Sequence, residues 1–479
     1  MRTFHLQMPQ LCLALFLFCG SFLGNGTQTL AQGKKSSYVK PNIIFILADD
    51  MGYGDLGSYG QTKIKTPHLD QLAAGGRRYT QFYAGSTVCA PSRAALMTGQ
   101  HTGHTYIRGN GEVPLPPTEA SLPILLQKSG YRTGMVGKWG LGLKGTTGAP
   151  EKQGWDFFTG HLHHLEGHFQ QADSLWTLRE GKSQRIAVAK DVYLNELFTQ
   201  EALRFVDDQQ KSPFFLYVSY TLPHAELRVP DRYLQPYLTA EGQSVFAPEK
   251  AHPAGQHYRA QPFPKAAYAA MVTSIDDYVG QILRKLEERG LTENTLVIFT
   301  SDNGTHVEGG RKMEDAMQVF QSSGLLRGVK RDLYEGGIRV PFLVSWKGHV
   351  KPGTTSTYLG AFWDILPTFA ALAGAPTPAG IDGLSFLPDL LGKKMKKQHE
   401  VLYWEFGEGG FKQAVRKGDW KAIRFYKDGR PTRTELYRLD KDLGEKQDLA
   451  ASNVQKVKEM EALMDQQHTT PQNSLFQIK

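Results

Sequence analysis

Val88-Cys89-Ala90-Pro91-Ser92-Arg93-Ala94-Ala95-Leu96-Met97-Thr98-Gly99 is the stretch from which the rest of this chain can be read. Proline fixes φ and lacks an N–H, so Pro91 suits the first turn of a helix. Ala94 to Met97 are good helix formers. Cys89 therefore falls at a helix N-terminus, where unpaired N–H groups and the helix dipole favour negative charge. With Arg93 one turn further on, a reactive group at position 89 is placed to meet an anion. Taken alone, a cysteine here could equally be a small buried hydrophobe.

Composition sets the frame. A chain of 479 residues suffices for one large α/β domain and a smaller one. The formal net charge of +8 suits an anionic substrate, or solubility alone. Zinc-finger, homeodomain and RNA-recognition signatures are absent, so no nucleic-acid partner is expected. Arg2 and His5, the apolar run Leu11 to Phe18 and the small residues around Thr29-Leu30-Ala31 read as a signal peptide over residues 1–31. No later run of apolar residues is long enough for a transmembrane segment, so an exported chain, periplasmic or secreted, is expected. Cys12 and Cys19 leave with the signal peptide. Cys89 is then the only cysteine and has no disulfide partner, which favours a functional role in an exported protein.

Four apolar runs read as buried strands: Asn42 to Leu47, Tyr131 to Val136, Pro213 to Tyr220 and Thr295 to Thr300. Each is followed by chemistry. Asp49 and Asp50 come after the first, Lys138 after the second, His224 after the third, and Asp302 with Asn303 after the fourth. Ligands of open α/β sheets bind outside the C-terminal strand ends, so four strands deliver acids, an amide and cations to one rim. Adjacent carboxylates there form a hard-oxygen site suited to Ca²⁺ or Mg²⁺. Helices are expected from Thr66, as N-cap, to Ala73, from Glu119 to Lys128 and from Lys265 to Arg289. A main domain over 38–390 gives way at the basic run Lys393 to Lys397. Short alternating runs from Val401 to Leu439 and a helix from Val454 to Asp465 then form a small antiparallel sheet with one helix over 391–479.

The Cys-x-Pro-Ser-Arg run, followed by a small-residue helix and Thr-Gly, resembles the signature of the type I formylglycine-dependent sulfatases, arylsulfatase A-like members of the alkaline phosphatase superfamily. Asp49-Asp50-x-Gly-Tyr-Gly-Asp, Gly-Lys-Trp at 137–139, Pro-His at 223–224, Asp302-Asn303 and the block Leu326 to Pro341 are similar to further motifs of that family. The resemblance implies an α/β sandwich with a large central mixed sheet flanked by helices, plus a smaller C-terminal α+β subdomain. It also implies hydrolysis of sulfate esters. Cys89 would be oxidised to Cα-formylglycine by a formylglycine-generating enzyme, and the hydrated aldehyde would attack sulfur. Asp49, Asp50, Asp302, Asn303 and position 89 would hold a divalent cation, Ca²⁺ with Mg²⁺ as the alternative. Arg93, Lys138 and Lys330 would stabilise the sulfate oxygens, and His224 would protonate the leaving alcohol.

One departure matters. Many family members carry a histidine two residues after the lysine, against the hydrated aldehyde, and this chain has Gly140. His101 and His104 are candidates for the missing base. His161, His163, His164 and His168 invite a zinc reading, but no other His or Cys pair accompanies them, so they are taken as a substrate-lining loop. Together with His104, Glu226, His306 and Trp404 they suit a hydroxyl-rich sugar, so a sulfated carbohydrate is the expected substrate. The rival readings are a formylglycine-dependent phosphodiesterase or phosphonate monoester hydrolase, and a non-catalytic binder of sulfated glycans.

Overall fold

Strand β1 (Asn42–Asp49) sets the layering. Successive side chains of a strand point to opposite faces. Ile44, Ile46 and Ala48 accordingly enter one apolar layer, and Ile43, Phe45 and Leu47 another. A strand covered on both faces needs a continuous apolar run, and Asn-Ile-Ile-Phe-Ile-Leu supplies it. The structure is a computed structural model; it describes residues 39–118, 120–208 and 212–478. The expected signal peptide lies outside the described residues.

The sheet around β1 has ten strands among the described residues. In chain order the others are β2 (Arg77–Tyr79), β3 (Arg132–Lys138), β4 (Phe157–His161), β5 (Ser174–Arg179), β6 (Lys182–Ala187), β7 (Phe214–Pro223), β8 (Thr295–Ser301), β9 (Phe342–Ser345) and β10 (Thr354–Ser356). Across the sheet they run β10-β2-β9-β8-β1-β7-β3-β4-β5-β6. The central strands β8, β1, β7, β3 and β4 are mutually parallel. β9 and the β5–β6 hairpin run antiparallel to their neighbours. The polar hairpin makes one edge, and Lys182 and Arg185 guard it as charged edge residues do.

Helices cover both faces. α1 (Pro67–Ala74), α4 (Leu194–Asp207) and α5 (Pro264–Glu288) pack on the Ile44 side. α2 (Cys89–Thr98), α3 (Leu122–Lys128) and α6 (Ile365–Ala373) pack on the Phe45 side. Thr66 is the N-cap as expected and its carbonyl accepts from Asp70 N–H at 2.9 Å, but its side chain accepts from Gly57 N–H and not from the helix. Asp276 of α5 accepts from the N–H groups of His68 (3.2 Å) and Leu69 (2.7 Å), so a neighbouring helix caps α1.

The last layer is a four-stranded antiparallel sheet of β11 (Leu402–Phe406), β12 (Lys412–Lys417), β13 (Trp420–Lys427) and β14 (Arg430–Arg438). Its alternation sorts two faces. Leu402, Trp404, Ala414 and Ile423 pack with Tyr83, Val88, Ala95 and Trp363, beneath α2. Tyr403, Val415, Ala422 and Leu436 receive Met460 and Met464 of α7 (Val454–Gln467). No helix among the described residues is long and apolar enough to cross a membrane.

Candidate active site

Four adjacent parallel strands end at one place. Asp49 closes β1, Lys138 closes β3, His224 follows β7, and Asp302 with Asn303 follows β8. Cys89 is the first residue of α2, whose N-terminus meets the same rim. Its thiol lies 3.3 Å from Asp49 Oδ1. Arg93, one turn on, places Nη2 2.8 Å from Asp302 Oδ2 and donates through Nη1 to the Lys138 carbonyl at 3.0 Å.

Each lysine sits on a carboxylate. Lys138 Nζ is 2.7 Å from Asp49 Oδ2, and Lys330 Nζ is 2.7 Å from Asp50 Oδ2. Lys330 also reaches His224 Nε2 at 2.8 Å. His224 Nδ1 faces the Ala225 carbonyl at 2.5 Å, so Nδ1 carries the ring proton and Nε2 accepts from the lysine. Asp50, with φ +65°, is turned so that its N–H donates to Asp302 Oδ1 (3.0 Å) and its Oδ1 accepts from Asn303 Nδ2 (2.6 Å). Aspartate is among the residues that adopt this left-handed region most readily.

Burial dominates the electrostatics, because Asp49, Asp50, Lys138, His224 and Asp302 are all fully enclosed. Burial raises the Asp49 carboxyl, but Lys138 and Arg93 outweigh it and hold Asp49 well below the usual range. Asp50 is pushed up to about 7 by burial, with Lys330 offsetting only part. Burial and the neighbouring Asp49 push the Cys89 thiol well up, so an unmodified thiol would be a poor nucleophile here. Burial and the charge of Lys330 drive His224 down, toward the neutral ring.

The remaining histidines divide. The ring of His168 lies 4.0 Å from that of His224, and its Nδ1 is 3.2 Å from Tyr258 Oη. His306 stacks on the other side of His224 at 5.5 Å. Both His306 nitrogens are engaged, Nε2 with the Pro223 carbonyl and Nδ1 with Glu308 N–H, so it buttresses His224 rather than lining a substrate cleft. His101 and His104 do not belong to the site. They follow α2, whose ten residues put them about 15 Å from Cys89 along its axis. There Asp382 holds both, and His101 packs on Trp363 and Tyr403. Trp404 is likewise not at the rim. It is buried beneath α2, and its Nε1 donates to the Ala84 carbonyl. His161 and Glu226 are buried, the first at the end of β4 and the second two residues beyond His224.

Two carboxylates escaped the sequence reading. Glu308 lies 3.6 Å from Lys330 Nζ and 3.8 Å from His224 Nε2, and accepts from Tyr258 Oη at 3.0 Å. Glu112 contacts His163 and His164. Nothing in the local sequence marks either; only their partners, distant along the chain, do.

Residues 41–375 match a family model described as Sulfatase, and residues 328–472 one described as N-sulphoglucosamine sulphohydrolase, C-terminal. The chain is 36% identical to arylsulfatase A of Homo sapiens over 420 residues, covering 80% of this chain and 75% of that protein. It is 33% identical to N-acetylgalactosamine-6-sulfatase of Mus musculus over 417 residues, covering 80% and 71%. Among solved structures it is similar to Ps i-CgsB in complex with k-i-k-neocarrahexaose, at 27% identity and TM-score 0.74, covering 91% of this chain and 94% of that one.

Proposed function

This chain belongs to the sulfatase family of the alkaline phosphatase superfamily and is a sulfuric ester hydrolase; from that premise we propose that its substrate is a sulfated carbohydrate and its nucleophile a Cα-formylglycine made from Cys89. The observation that carries this is the seat of Cys89: at a helix N-terminus, 3.3 Å from a buried carboxylate, with Arg93, Lys138 and Lys330 around it. As a thiol it is disfavoured for attack, whereas the hydrated aldehyde would supply one hydroxyl to attack sulfur and a second through which sulfate is released. The formylglycine-generating enzyme is the partner this maturation requires.

The oxygen set fits a hard divalent cation, and we assign Ca²⁺, with Mg²⁺ as the alternative. Asn303 Oδ1 is buried and makes no hydrogen bond among the described residues. Asp49, Cys89 and Asp302 offer ligand atoms within 4.8 Å of one another. Asp49, Asp50, Asp302, Asn303 and position 89 would hold the ion, which when bound lowers the pKa of the nucleophile and draws charge from the sulfate. The protein's own side chains do the rest. Arg93, pinned by Asp302 and the Lys138 carbonyl, and the two lysines present fixed positive charge to sulfate oxygens without reorganising. Lys330 and His224 hold a proton between Nζ and Nε2, and this shared proton is the acid for the leaving alcohol.

The carbohydrate assignment draws on the polar surroundings of His163, His164, His168 and Tyr258, and on the sugar-directed relatives. The expected export would bring the protein to extracellular or periplasmic glycans. The test is sulfate release from a panel of sulfated oligosaccharides against an aryl sulfate, with the phosphate ester of the same alcohol as control. Faster turnover of at least one oligosaccharide is expected, since sugar contacts act in the transition state. Inert oligosaccharides beside an efficiently cleaved aryl sulfate would remove the carbohydrate assignment, and preference for the phosphate ester would contradict the sulfatase chemistry.

A further inference from the structure

Gly140 leaves an opening beside Lys138, and another segment fills it. The N–H groups of Trp139 and Gly140 donate to the carbonyls of His161 (3.0 Å) and Leu162 (3.1 Å), which draws residues 161–164 alongside the end of β3. A Cβ built on Gly140 would lie 3.4 Å from His164 Cβ. The base of the His164 side chain therefore abuts the space that a side chain at 140 would enter. The following turn closes onto Lys138 itself: a Cβ on Gly167 would come within 2.9 Å of Lys138 Cδ.

Hydrogen bonds fix the tautomers. Leu165 N–H donates to His163 Nδ1 at 3.0 Å, so the ring proton of neutral His163 is on Nε2, which faces Glu112 Oε1 at 2.8 Å. His164 Nδ1 is 3.0 Å from the same oxygen. An ionised carboxylate only accepts, so His164 carries its proton on Nδ1 and its lone pair on Nε2. The same bonds speak against a metal on Glu112, His163 and His164, because a ligating His163 Nε2 would need to be the bare nitrogen. His224 Nε2 accepts from Lys330 and His306 is engaged at both nitrogens, so neither offers a bare nitrogen; His161 Nε2 is buried without a hydrogen-bond partner among the described residues, and His168 lies against His224.

We propose that Glu112 and His164 form a carboxylate–imidazole pair that stands where Gly140 leaves a gap, with His164 Nε2 as the base for sulfate release. This rests on the formylglycine reading of position 89. In that step His164 Nε2 takes the proton of the free hydroxyl of the sulfated hydrate. The O–H electron pair becomes the C=O bond, the C–O bond to sulfate breaks with its pair, and sulfate leaves as the dianion. His164 is the catalytic residue; Glu112 positions it. His164 is shifted down to about 4, by burial first and Lys138 second, which keeps the ring neutral and able to accept.

The test uses full-length protein with position 89 verified by peptide mass, an aryl sulfate, and intact-protein mass after mixing. H164N is expected to keep a burst of aryl alcohol while steady turnover falls about a hundredfold or more. The stalled protein should be about 98 Da heavier than the aldehyde form, a water plus a retained sulfuryl group, or about 80 Da heavier than the hydrate. E112Q should stall in the same way but less. Moving the imidazole back, in G140H/H164G, should clear the adduct, since histidine tolerates the left-handed φ of +72° at 140. The proposal is overturned if H164N stays within about threefold of the parent, or slows without burst or adduct. It is equally overturned if the swap stalls like H164N, or if H168N accumulates the adduct instead. An active parent with an intact thiol at 89 is a different failure, and removes the formylglycine reading itself.

Discussion

Replacing Lys421 with methionine tests how the C-terminal sheet is bound to the catalytic layer. Lys421 Nζ, on β13, lies 2.9 Å from Glu335 Oε1 and 2.9 Å from Glu445 Oε1, and all three side chains are fully buried. Glu335 has other support, from Tyr83 Oη at 2.6 Å and Arg339 Nη1 at 3.1 Å. Burial would raise it, but Lys421 and Arg339 outweigh that and bring it to about 2. Glu445 has little beyond the Glu335 N–H at 2.7 Å, and burial already pushes it up to about 7 against the pull of Lys421. Lys421→Met thus orphans Glu445, at a cost of about 3–5 kcal/mol. With about 2.1 cal/mol/K of unfolding entropy per residue over the 36–479 unit, this lowers Tm by roughly 3–5 °C.

Without Lys421 the Glu445 carboxyl rises further, so above about pH 7 the folded variant holds a proton that the parent has released. Its deficit is flat below about pH 7 and grows by up to about 1.4 kcal/mol per unit above. Differential scanning fluorimetry from pH 5.5 to 8.5 measures both. The double variant K421M/E445Q, which removes the orphaned carboxylate and leaves Glu335 on Tyr83 and Arg339, should regain much of the loss. A Tm unchanged at pH 8, or a deficit identical at pH 6 and 8.5, would refute the reasoning.

Two further outcomes are expected. Chelation should abolish sulfate release, with Ca²⁺ or Mg²⁺ restoring it, and Asp302→Ala should lose bound metal by elemental analysis; turnover that survives both would disprove the ligand set. His399 Nε2 lies 2.7 Å from Asp364 Oδ1; burial lowers its pKa, but Asp364 outweighs this and raises it above the ordinary value. A raised histidine adds stability that is full below about pH 6.5 and fades as pH climbs through the folded value, so His399→Asn should cost Tm at pH 5.5 and less at pH 8.5. An equal cost at both would show that the protonated ring is not what stabilises.

Much of the catalytic rim was legible because strand ends are local. Asn42 to Leu47 is apolar enough to be a strand covered on both faces, and Asp49 and Asp50 must then emerge at its end. The same logic places Lys138, His224 and Asp302. What was not legible depends on contacts remote in sequence. His101 and His104 lie close to Cys89 along the chain, but a ten-residue helix carries them to its far end. Trp404 resembles a rim aromatic until the alternation of β11 turns it under α2. The pairing of Glu112 with His164 depends on a loop whose course no periodicity encodes. The β5–β6 hairpin was missed because an exposed edge strand carries little apolar signal.

The chemistry at position 89 can be weighed directly. Protein from a host with the converting enzyme should be digested, and the peptide carrying Cys89 weighed alongside sulfate release from the same preparation. The expected residue is about 18 Da lighter than cysteine and reactive toward hydrazides, with activity proportional to its fraction. Full activity in a preparation whose Cys89 is wholly thiol would contradict the formylglycine chemistry.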